Sequence, residues 1–219
     1  MNSSRHRVVV RMAVLGCVAA LMTACGSVHP GSAAVVDNET ISMKTADKAS
    51  IAYCKFALAA AKQNGVKSVS AADTRRQAVT DLIAFKVATK LASGRHLNID
   101  PAKYVVTEAE DKQIAKQFPG SNLTQMHDAI QRSRQTYAIS VALGEAATGQ
   151  KISTATQAAV EKAGTAVITK AFKTSDISID PRFGLDDLTK QIGQTGSLSV
   201  PQVAEDSDPA ALPVSQRCS

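Results

Sequence analysis

The sequence predicts a mainly α-helical fold of about five helices, with a small β-hairpin that a C-terminal strand joins. Three observations carry this. Between residues 44 and 172 apolar residues recur at helical spacing among alanines and other helix formers. Aromatic residues are few, with three tyrosines, five phenylalanines and no tryptophan, which favours an alanine-rich helical core over a sandwich or barrel. Short β-prone runs stand at the two ends of this helical region.

The first run is Ala34-Val35-Val36, then Asp37-Asn38 as a tight turn, then Glu39-Thr40-Ile41. A lone hairpin is marginal in water and needs a partner surface. Ser42 can cap a helix running from Lys44 to Gln63, with Ile51, Phe56, Leu58 and Ala59 among its apolar residues, before Asn64-Gly65 stops it. Ser70 starts a second helix, with Asp73 completing a capping box. Its inner face carries Val79, Leu82, Ile83, Val87 and Leu91. Lys86 and Lys90 fall on the same arc, where long side chains lie along the edge and keep their ammonium groups in water; a charged site is the alternative.

Residues 98–106, with Pro101, form a connector, and Thr107 with Glu110 is another capping box, for a short helix ending near Phe118. Pro119-Gly120-Ser121 breaks the chain. A long helix follows from about Leu123 to Thr148, with Met126, Ile130, Tyr137, Val141 and Leu143 as its larger apolar residues. Three to five residues then lead to a last helix, capped by Ser153 or Thr154 and running to Phe172. It turns Val160, Val167 and Ile168 inward, and Ala163 and Gly164 permit close packing. Ile177-Ser178-Ile179 alternates as a strand that can pair with the opening hairpin.

Several of these motifs, in this order, resemble the N-terminal domain of SurA-type chaperones. Val79, the Leu82-Ile83 pair, Val87, Ala92, Leu97 and Ile99 match that domain's spacing, and the hairpin 35–41 resembles its opening strand. Asp180-Pro181-Arg182-Phe183-Gly184 is similar to the signature that ends exported SurA-like lipoproteins of actinobacterial type. His96 stands where the family has a helix-ending glycine, and Gly94 comes two places early. The resemblance covers about residues 33 to 200. It implies a SurA N-terminal-like domain over 33–193 that holds unfolded chains. The parvulin domain, roughly a hundred residues in family members that isomerise prolines, has no room between the last two helices, so no isomerase activity is implied.

The N-terminus supplies the compartment. Arg5, Arg7 and Arg11 precede an apolar run from Met12 to Met22, about 11 residues and too short to span a bilayer. Leu21-Met22-Thr23-Ala24-Cys25 resembles a bacterial lipobox, which makes 1–24 a lipoprotein signal peptide and Cys25 the site of acyl chains such as palmitate. An ordinary signal cut elsewhere or an uncut helical anchor are the alternatives. Residues 25–32 are a tether of small residues reaching at most about 25 Å, which keeps the domain close to the extracytoplasmic face of the cell membrane.

Removing the signal lowers the net charge from +6 to +3. With no basic cluster interleaved with aromatics, a nucleic-acid partner is not expected. Cys17 leaves with the signal and Cys25 takes lipid, so Cys54 and Cys218 remain. Outside the cytoplasm two such thiols tend to oxidise, closing a loop for which chain entropy gives roughly 5 kcal/mol as an upper figure; two unrelated thiols are the alternative. From Gln194 the chain turns to Ser, Pro and acidic residues, and 194–219 reads as a disordered tail.

Other chemistry finds little footing. His29, His96 and His127 show no metal-ligand spacing, no glycine-rich phosphate loop occurs, and no cofactor or metal is expected. Cys54 has no context that would make it a nucleophile. Glu108, Glu110 and Asp111 report helix capping, and Arg132 and Arg134 read as a solvated face. The expectation is therefore a non-enzymatic lipoprotein that binds unfolded or newly exported polypeptides. The alternatives are a structural lipoprotein scaffolding one folded cell-envelope partner and, third, a carrier with a helical cavity for lipid or another small molecule.

Overall fold

The computed structural model describes residues 31–185 and 209–218. The expected signal peptide, Cys25 with most of the expected tether, and residues 186–208 lie outside the described residues.

Strand β1 (Ser32–Val36) and strand β2 (Glu39–Ser42) pair antiparallel across a two-residue turn. Asp37 and Asn38 both take positive φ, 46° and 73°, the mirror-image turn whose twist matches that of the flanking strands. The tether expected to reach residue 32 ends earlier, because Ser32 already belongs to β1 and is buried. Five helices follow: α1 (Met43–Gln63), α2 (Ala71–Gly94), α3 (Glu108–Gln117), α4 (Leu123–Thr148) and α5 (Gln157–Thr174). Strand β3 (Ile177–Ile179) then pairs antiparallel with β1, placing Ala34 opposite Ile179, and the sheet order is β2-β1-β3. This is the mainly α fold with a hairpin joined by a C-terminal strand.

The strand that opens the domain is thus the central one, and it is buried along most of its length. Ala33, Ala34, Val36 and Ile41 pack with Ala46 and Ala49 of α1 and with Ala78, Val79, Leu82, Ile83 and Val87 of α2. A second cluster joins Ala52, Val106, Ile114, Met126 and Ala129, edged by Phe56 and Phe118, whose rings meet edge to face at 5.5 Å. A third joins Ala88 and Ala92 of α2 to Ile139 and Leu143 of α4, with Val167 and Ile168 of α5 against it.

Two glycines set the approach of α4 and α5. A Cβ on Gly144 would stand 2.0 Å from the carbonyl oxygen of Val160, and one on Gly164 would stand 2.0 Å from that of Ser140. Only hydrogen fits at either position, so the two backbones meet directly. Tyr137 does not join the core; it is 51% exposed and donates its hydroxyl to Glu161 at 2.7 Å.

Most helix starts follow their capping residues. Ser42 accepts from the Thr45 amide, Asn122 accepts from that of Gln125, and Thr107 with Glu110 forms a full capping box. The box expected at Ser70 is only half made: Ser70 accepts from the Asp73 amide, but the Asp73 carboxylate pairs with Arg76 instead. Helix α5 begins later than its expected caps. Ser153 and Thr156 hydrogen-bond each other in a turn, and the Thr156 hydroxyl donates to the Lys151 carbonyl, so the helix starts at Gln157 with no side-chain cap. The link from α4 to α5 is eight residues rather than three to five.

At the end of α2 the amide of Leu97 reaches back to the Ala92 carbonyl, and His96 between them takes φ 53°. That position calls for the left-handed backbone that glycine adopts most readily.

Candidate surface at the disulfide-tail junction

A second segment returns from far along the chain. The sulfurs of Cys54 and Cys218 are joined across 164 residues, with their Cα atoms 5.3 Å apart. The expected disordered tail of 194–219 is corrected here for its described part. Residues Pro209–Ala211 and Val214–Gln216 form single 3-10 turns, Leu212 is buried, and Arg217 makes an isolated antiparallel bridge with Ser70 just before α2. The Cys218 amide donates to the Val69 carbonyl at 2.9 Å. A covalent link to α1 offsets the chain entropy that a proline-rich acidic composition cannot offset by burial.

Beneath this segment Thr74, itself buried, donates its hydroxyl to the Ala71 carbonyl at 3.0 Å and holds its oxygen 3.3 Å from the sulfur of Cys54 and 3.4 Å from that of Cys218. Ser68 Oγ and Arg217 Nε are buried without a hydrogen-bond partner among the described residues. Three of the large apolar side chains left exposed belong to the three segments that meet there: Ile51 (48%) three residues before Cys54 on α1, Val66 (44%) three before Val69 in the loop, and Val214 (75%) four before Cys218 in the tail. No sequence signal marks these three as a group, because they come from a helix, a loop and the tail.

The charged residues singled out in the sequence fall elsewhere. Lys86 pairs with Glu39 at 2.6 Å and Lys90 with Asp37 at 2.8 Å, so both lysines hold the hairpin against α2. Asp37 also exchanges hydrogen bonds with Asp176, its backbone amide donating to the Asp176 carbonyl and its carboxylate accepting from the Asp176 amide, both at 2.8 Å. The Lys90 ammonium, then the Asp176 amide, hold the Asp37 carboxyl below the usual aspartate range. Asp111 receives His127 Nδ1 at 2.9 Å, and Arg134 donates to Glu110 at 2.8 Å. With Arg134 and the Thr107 amide and hydroxyl on it, Glu110 is lowered from 4.5 to about 2.

Arg132 is not on the solvated face expected for it. It is half-buried, its Nη1 has no partner among the described residues, and its charge acts on Tyr53 and Asp81. Burial, more than any neighbour, pushes the Asp81 carboxyl up, while hydrogen bonds from Tyr53 and from Gln77, at 2.9 Å, oppose it. This cluster was missed because its members sit on three helices.

The closing signature is structural. Asp180 caps a 3-10 turn by accepting from the Arg182 amide, and its two oxygens take the Arg182 guanidinium at 3.0 and 2.8 Å. Pro181 starts the turn, Gly184 ends it at φ 62°, and Phe183 is buried in the first cluster with the Arg75 guanidinium 5.6 Å from its ring centre.

Among the described residues no helix is long and apolar enough to cross a membrane, and no group of three His, Cys, Asp or Glu could hold a metal ion. No protein-family model, no curated protein and no solved structure matches this chain.

Proposed function

We propose that the chain is a membrane-tethered, SurA-like lipoprotein that holds unfolded or newly exported polypeptides outside the cytoplasm and performs no isomerisation. The observation that carries the reading is the exposure of Ile51, Val66 and Val214, large apolar side chains on the three segments that meet at the disulfide-tail junction. Large apolar side chains left in water are what non-specific capture of extended chains uses. The closing strand and its docked Phe183 support the SurA-like reading, and an eight-residue link between α4 and α5 leaves no place for an inserted parvulin domain.

On this reading the acyl chains sit on Cys25, binding is passive, and release needs no nucleotide, metal or cofactor. The test is suppression of aggregation of an unfolded exported client at near-stoichiometric amounts. No suppression, with one folded envelope protein recovered in a pull-down, would replace holding by scaffolding; a co-purified lipid in native mass spectrometry would favour a carrier. Anchoring is tested separately. Cys25→Ala should lose the mass of the acyl chains and leave the detergent phase, and equal masses with equal partitioning would refute the anchor.

A further inference from the structure

Residues 209–218 resemble in their contacts the kind of occupant that a holding surface would take. Their last two residues meet the body of the domain through backbone, by the Cys218 amide on the Val69 carbonyl and the Arg217 bridge to Ser70. Pairing of this kind reads no side chains, which is how an extended segment of any sequence can be accepted at a free backbone edge. The segment is also a poor resident on non-covalent terms. Leu212 is its main apolar anchor, Val214 points into solvent, and the burial of Arg217 Nε and Ser68 Oγ leaves both without partners among the described residues. Unmade hydrogen bonds of this sort oppose docking. What keeps the segment in place is its covalent bond to α1, which makes its local concentration high whatever its intrinsic affinity.

We propose that residues 209–218 are a tethered stand-in for a client segment, with Arg217 and Cys218 paired to the backbone at Val69–Ser70, and that thiol–disulfide exchange with an exported dithiol oxidoreductase vacates that backbone. The proposal rests on the holding function above and names its site. Cys54, the less buried residue of the pair, is the point of attack, since Cys218 is buried. A thiolate of the reductant bonds to Cys54 Sγ, and the Cys54–Cys218 bond breaks to release Cys218 as a thiolate that takes a proton. The reductant's second thiolate then displaces Cys54, which also leaves as a thiolate and takes a proton. Two electrons pass, and the reductant ends as a disulfide.

The experiment compares the oxidised chain, the same chain reduced with dithiothreitol, and Cys54→Ser/Cys218→Ser, with helix content checked by circular dichroism. The readouts are the molar ratio that halves aggregation of an unfolded client and hydrogen exchange at the amide of residue 218, which donates to Val69 in the oxidised chain. Release should lower that ratio about five-fold and speed exchange. Leu212→Ala, which leaves the sulfurs joined, should move both readouts the same way by a smaller factor. If the oxidised chain suppresses aggregation as well as the released forms, the stand-in is overturned and holding survives. If no form suppresses aggregation, holding itself fails and takes the stand-in with it.

Discussion

Two segments travel back to the beginning of this domain, and they are held by opposite means. Strand β3 returns to β1 through ladder hydrogen bonds, the mutual contacts of Asp37 and Asp176, and Phe183 sunk into the first core cluster. The tail returns to α1 and α2 through one covalent bond, one isolated bridge and one buried leucine. The first closure is part of the core and can open only when the core does. The second is local, and chemistry at two sulfur atoms can open it while the rest stays folded.

Substitutions should separate the two. Phe183→Ala strikes the core closure and should lower the unfolding free energy by about 4 kcal/mol in a single urea transition; a loss under about 1 kcal/mol would mean that Phe183 does not anchor it. Gly164→Ala acts one step earlier, on the contact between α4 and α5 that delivers β3 to β1. Its methyl group would meet the Ser140 carbonyl oxygen, and the expected loss is about 3 kcal/mol with a lowered thermal midpoint. An unchanged midpoint would show that the helices separate at little cost.

Cys218→Ser should lose about 2 kcal/mol, less than the chain-entropy figure because the freed tail regains its own motion. Exchange should quicken at the amide of residue 218 and stay slow in β1; equal loss of protection at both would erase the contrast. His96→Gly, remote from both closures, should add about 0.5–1 kcal/mol by relieving the left-handed backbone, visible as a raised urea midpoint at unchanged slope.

The smallest effect is set by pH. Glu110, Asp37, Glu39 and Asp180 all have carboxyls lowered in the folded protein. Their contribution is complete above the unfolded values and is lost as pH falls through the folded ones, for Glu110 between its ordinary 4.5 and about 2. Asp81, raised by burial, runs the other way: its folded state gains relative stability as it protonates. Glu110→Gln should flatten the acid limb of stability against pH, and an unchanged limb would assign it to other groups.

Local chemistry made much of the fold legible. The Asp37-Asn38 turn, the caps at Ser42 and Thr107, and the alternating Ile177 and Ile179 each act over a few residues, and each is in place. The pairing of Cys54 with Cys218 followed from elimination, since the other two cysteines had roles assigned. Hidden features depend on what lies across space. Nothing in a run of Ser, Pro and acids announces that Leu212 will be buried, because burial there depends on neighbours remote in sequence. Nor does Gly144 announce itself, since its need for a bare Cα comes from Val160 on the next helix. The candidate surface was the least legible part, being built from exposed residues that no periodicity connects.

The position of β1 at the middle of the sheet carries a consequence for how the molecule is made. This strand is among the first segments of the domain synthesised, yet one of its two neighbours appears last, since Asp37 and Asp176 are separated by 139 residues. Until then one edge of β1 is open, and sequence-distant pairing of this kind forms slowly. A protein proposed to guard incomplete chains therefore passes through its own interval of incompleteness, ended only when its final helix and the strand behind it arrive.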